Sequence, residues 1–176
     1  MDRIGAMPEV SDLVLGGGPV DLSTAALNGK WFNLRNCVGV NAVLIAGIGT
    51  AGEDPVISLS QAQDAAGTGA NVLNLKHVEY KVGATDIVAA SDIWARVAAI
   101  DADNQAASYS SAAIDGAENK LVLCAFVLAG DLDGDNNFSH VRLQVADVGI
   151  NAQLGTIIYV PTGRAHKGKH VFSHLS

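Results

Sequence analysis

Apolar residues recur at every second position through much of this chain. Val56–Gln61, Val72–Tyr80 and Val141–Val145 alternate apolar with polar side chains, the pattern of strands with one buried face. Val38–Ile45, Leu121–Leu128 and Thr156–Val160 are denser in apolar residues, which predicts strands covered on both faces. Shorter runs at Val20–Leu22, Trp31–Leu34, Trp94–Val97 and Ala107–Ser110 add further strands. Nineteen glycines separate these pieces, so the pattern predicts an all-β fold, a β-sandwich or jelly-roll. The stretch 83–119 is rich in Ala, Asp and Ser, and Asp86–Ile100 has helical propensity; strands joined by long loops are expected there. Residues 1–18 end in Gly16-Gly-Gly18 and read as an N-terminal arm, 19–163 as the sandwich, and 164–176 as a basic C-terminal tail.

Composition changes the picture in one respect. The 176 residues suit one domain, but only 16% are charged while 49% are hydrophobic. A domain normally carries about 25% charged residues, so this one has too little charge to coat itself. Interface cores are depleted in charge, and a surface buried against other chains accounts for the deficit. Disorder is excluded by the apolar content. The longest apolar run, Leu121–Ala129, is well short of the ~18 to 20 residues of a membrane-spanning helix. A net charge of −7 argues against nucleic acid as the main partner. Met1–Pro8 shows no basic region followed by an apolar stretch, so folding in a cytoplasm is expected.

Candidate chemistry is sparse. Cys37 and Cys124 lie in apolar runs and read as buried structural thiols. Gly47-Ile-Gly-Thr-Ala-Gly52 matches the dinucleotide-binding spacing, yet Pro55 and a period-two run follow where a phosphate-binding helix would start; a turn is expected, and no cofactor. Asp131, Asp133 and Asp135 resemble half of a calcium loop, but Asn136 and Arg142 stand where the loop needs Gly and Glu. An acidic turn is therefore expected, with a weak metal site as the alternative. His166, His170 and His174 recur every fourth residue beside Gly168, which suits a solvated or partner-docking tail better than a helix, with a metal site as the alternative. His77 and His140 read as sheet residues. No Ser or Thr sits in a GxSxG-like elbow, so no catalytic residue is expected. Ile4, Met7, Val10, Leu13 and Leu15 in the arm, with Arg164, Lys167 and Lys169 in the tail, are candidate contacts to neighbouring subunits.

Three segments carry a resemblance. They are Asp21–Asn36, containing Lys30-Trp-Phe-Asn-Leu-Arg35; Gly49–Ala70, containing Glu53-Asp-Pro-Val-Ile-Ser-Leu-Ser60; and Phe138-Ser-His-Val-Arg-Leu-Gln-Val-Ala-Asp-Val-Gly-Ile-Asn-Ala-Gln-Leu-Gly155, running into Ile157-Ile-Tyr159. Together they resemble a family of small structural proteins encoded among the virion genes of tailed bacteriophages, whereas residues 1–18 and 167–176 depart from that pattern. The resemblance implies a capsid decoration or cement protein that binds the assembled major capsid protein, forms a homotrimer on the virion surface, and has no active site. A head–tail connector or tail component is the first alternative. A carbohydrate-binding sandwich for host attachment is the second, although two Trp and three Tyr offer little for an aromatic platform.

Overall fold

The computed structural model describes residues 13–83 and 93–164. These residues build two antiparallel sheets around one apolar core, an all-β sandwich. The first sheet contains β1 (Val14–Asp21), β4 (Cys37–Ala46), β7 (Val78–Gly83), β8 (Ala95–Arg96), β10 (Lys120–Leu128) and β12 (Leu154–Arg164). Its strand order is β1-β12-β4-β10-β7-β8. The second sheet contains β2 (Leu27–Asn28), β3 (Phe32–Asn33), β5 (Val56–Ala62), β6 (Asn71–Leu73), β9 (Ser108–Ser110) and β11 (His140–Val145). There β11 pairs with β5 on one side and with the short β2 and β3 on the other, while β6 and β9 extend β5.

Period-two patterning explains which side chains meet. Val40, Ala42, Leu44, Leu121, Leu123, Ala125 and Ile157 point inward from the first sheet, and Ile57, Leu59, Val141, Leu143 and Val145 from the second; all are buried. Tyr159 ties the layers together. Its ring lies 5.3 Å from that of Phe32, its hydroxyl donates to the Lys30 carbonyl at 2.9 Å, and it accepts from the Leu143 N–H at 3.0 Å. Burial pushes the Tyr159 phenol well above its ordinary pKa, so it remains the neutral donor this geometry needs.

Four expectations are corrected. The arm was placed at 1–18, but Val14–Asp21 is a strand paired with β12. The glycines there serve packing: a Cβ on Gly16 would lie 2.5 Å from the Tyr159 ring, and only glycine lets β1 approach so closely. The tail was placed from 164, whereas β12 runs through Arg164, whose backbone pairs with Cys37. The run Val72–Tyr80 is two strands in different sheets, broken where Leu75 bridges to Ala106. Finally, among the described residues β4, β10 and β12 are covered on one face only; on the other face Ile45 is exposed and Val43, Val122 and Ile158 are half-buried. In the stretch 83–119, residues 93–100 form β8 and a turn rather than a helix, and Asp86 lies outside the described residues.

Candidate functional site

The uncovered face of the first sheet is the most distinctive surface of the molecule. Register aligns its side chains in rows that cross the strands. One row runs Leu15, Ile158, Val43, Cys124, Glu79, Arg96 from β1 to β8. The row above it runs Thr156, Ile45, Val122, Lys81, and the row below runs Val160, Asn41, Phe126. Leu154 and Lys120 close the upper end and Leu128 the lower. The β1, β12, β4 and β10 side is thus apolar, with Leu154 63% and Leu15 56% exposed, while β7 and β8 carry the charges.

Two depressions mark this face. At the upper end Pro19, Ile45, Leu154, Thr156 and Lys120 line an apolar groove of about 310 Å³. Lower down, Asn41, His77, Glu79, Arg96, Cys124 and Phe126 line a mixed groove of about 260 Å³. There the Arg96 guanidinium is hydrogen-bonded to Nδ1 of His77 rather than ion-paired with Glu79, its register partner. Glu79 has no ion-pair partner among the described residues. Lys81 lies over the Trp94 ring, 5.2 Å from its centroid, and Trp94 is 45% exposed. Burial, with a smaller contribution from the Glu79 carboxylate, pushes the Cys124 thiol up to about 12; it is therefore a protonated wall of the groove and a poor nucleophile. Its Sγ donates weakly to Asn41 Oδ1 at 3.5 Å.

Most residues singled out in the sequence lie elsewhere. Leu13 and Leu15 are exposed at the β1 edge, and Leu15 belongs to the row above. Ile4, Met7, Val10, Lys167, Lys169 and the histidines at 166, 170 and 174 lie outside the described residues. Asp131, Asp133 and Asp135 do not converge. Asp131 pairs with Lys76 at 2.6 Å and accepts from the Leu128 N–H, while Asp133 caps a short turn by accepting from the Asn136 N–H. Among the described residues no three acidic, His or Cys side chains gather around one point. The Gly47–Gly52 stretch is a loop without a helix behind it. Beside that loop the Glu53 carboxylate accepts from the Ile150 and Asn151 N–H groups and ties the loop to residues 150–151.

One Ser–His contact escaped the sequence reading. Ser139 Oγ lies 2.9 Å from His140 Nδ1, with the two residues 7% and 6% exposed. The same hydroxyl donates to the Gln63 carbonyl at 3.1 Å. The charges Glu79 and Arg96 in one row and Lys81 in the next were also missed, because these residues look like ordinary strand alternation until register sets them side by side.

No family model matches this chain, and neither the curated proteins nor the solved structures give a match.

Proposed function

We propose that this chain is a structural virion protein of a tailed bacteriophage, of the decoration or cement class. It binds the assembled major capsid shell and stabilises it without catalysis. The observation that carries the reading is the bare apolar face of the first sheet, displayed by a chain with too little charge to solvate itself. Exposed apolar patches beyond a few hundred Å² mark interaction sites. A decoration protein gains from such a face because weak contacts multiply across a lattice of identical sites and favour the assembled shell over free subunits. On the shell, copies would group as homotrimers at its three-fold positions.

The test is co-expression with a tailed-bacteriophage major capsid protein, followed by sedimentation of the shells and protein quantification. Co-sedimentation in proportion to shell subunits supports the reading, together with a shell that withstands more heat or chelator. Stoichiometry fixed to the single portal vertex would instead make it a connector or tail component. Absence from particles would refute a virion role.

A further inference from the structure

We infer that the uncovered face of the first sheet is self-complementary, and that in the free protein it is covered by a second copy of the chain through a two-fold, face-to-face pairing. A two-fold axis lying in the interface, across the strands and between the Glu79 row and the Lys81 row, keeps each strand opposite its own equivalent. It exchanges the Glu79 row with the Lys81 row, and the Phe126 row with the row of Lys120 and Leu154. Val43 then faces Ile45 of the second copy, Cys124 faces Val122, and Ile158 faces Thr156. On β7, Glu79 faces Lys81 of the second copy, and the same contact forms twice. Phe126 on one side of the mixed groove faces Lys120, and Arg96 faces Trp94, each a cation over an aromatic side chain. The arrangement follows from the observed register.

A single operation thus sets apolar residues on apolar ones and gives Glu79, which lacks an ion-pair partner among the described residues, a cation. This is the self-consistency an isologous interface demands, since each patch must match itself. Packed sheets lie ~10 Å apart with their strands within about 30° of each other, so the central rows align best. Five strands of six residues, at ~4.8 Å spacing and ~3.3 Å rise, give roughly 500 Å² of projected area per copy. The pair would bury about 1,000 Å², the lower limit for a specific complex, so a reversible dimer is expected. The inference does not depend on the virion reading. A face left uncovered in the free protein would simply remain open for a shell.

Sedimentation equilibrium of the full chain over a concentration series tests it. The wild type should fit a monomer–dimer equilibrium. Glu79→Lys and Lys81→Glu, each of which sets like charges opposite one another, should raise the dimer Kd about tenfold. The double swap should bring it back to within about threefold of wild type, and Ile45→Arg at the axis should abolish pairing. Circular dichroism of each variant separates loss of pairing from loss of fold. A wild type that stays monomeric, a trimer, single swaps without effect, or a double swap without rescue would each overturn the pairing. Sedimentation with shells reads the virion proposal separately.

Discussion

The two outward faces of the sandwich solve the same problem in opposite ways. On the second sheet, polar side chains satisfy one another. Ser60 is hydrogen-bonded to Gln144, Gln144 donates to Asn28 Oδ1 at 2.7 Å, and the Arg142 guanidinium lies 4.5 Å from the Trp31 ring centroid. Val72, 62% exposed on the edge strand β6, is the large apolar side chain this face leaves in solvent. On the first sheet, β12, β4 and β10 present the exposed Ile45 beside the half-buried Val43, Val122 and Ile158, and Glu79, Lys81 and Arg96 stand to one side on β7 and β8. The contrast lies in what each face needs from outside. The second sheet joins its outer polar side chains to one another, and the first presents apolar ones over which the described residues form no second layer.

The sharpest way to break this comparison is to mutate adjacent residues of one strand. Leu44 is fully buried between the sheets, and Ile45 points out of the first sheet. Leu44→Ala should cost about 2–5 kcal/mol in chemical denaturation, since it leaves a cavity in the core. Ile45→Ala should cost about 1 kcal/mol or less, because its side chain is already partly in water. Similar losses at the two positions would mean that β4 is covered on both faces after all.

Tyr159→Phe probes the link between the layers. Removing the hydroxyl leaves the Leu143 N–H and the Lys30 carbonyl without their buried partner, at a cost of about 1–3 kcal/mol. Unchanged stability would show that β2 and β11 are held by strand pairing alone.

How far the sequence reached follows from what each signal measures. Alternation located β5 and β11, because burying one face requires it, and dense apolar runs located β4, β10 and β12. It missed most of β1, where Gly16, Gly17 and Gly18 carry no side chain to show a period and were needed for the approach to Tyr159. It missed β2, two residues long, and joined β6 to β7 because both sheets draw on the same period. The dense runs misled for a physical reason. Apolar residues at both parities imply two covered faces, and among the described residues a second layer lies over only one of them. The charged rows at Glu79, Lys81 and Arg96 depend on register between strands far apart in sequence, which a linear reading does not contain.

A smaller effect sharpens the contrast from the other side. Gln144→Ala cuts the polar chain on the second sheet and should cost about 0.5–1.5 kcal/mol of stability with no change in self-association. On the first sheet the Glu79 and Lys81 swaps should do the reverse, altering association with little change in denaturation midpoint. If Gln144→Ala altered association, the second sheet would be an interface too.

The weakest expected effect is a pH dependence at the edge of the second sheet. Burial holds His140 below its ordinary value of 6.5, and the nearby Arg35 cation adds to this, while the Gln63 carbonyl and the Asp64 carboxylate oppose it. The unfolded chain therefore takes up a proton near pH 6.5 before the folded one does. Stability is fully present above that pH and declines as pH falls from 6.5 toward the lower folded value. Asp21, Asp64 and Asp101 are held below 3.8, chiefly by hydrogen bonds from Ser23, Thr68 and Asn104 respectively. Their contributions are kept above pH 3.8 and lost below it, so the two windows separate. Denaturation midpoints measured between pH 7.5 and 4.5, about the ordinary histidine range, should decline in the wild type, and His140→Gln should remove part of that decline. An unaltered slope in the variant would assign the loss to the other histidines and return His140 to a purely structural place beside Ser139.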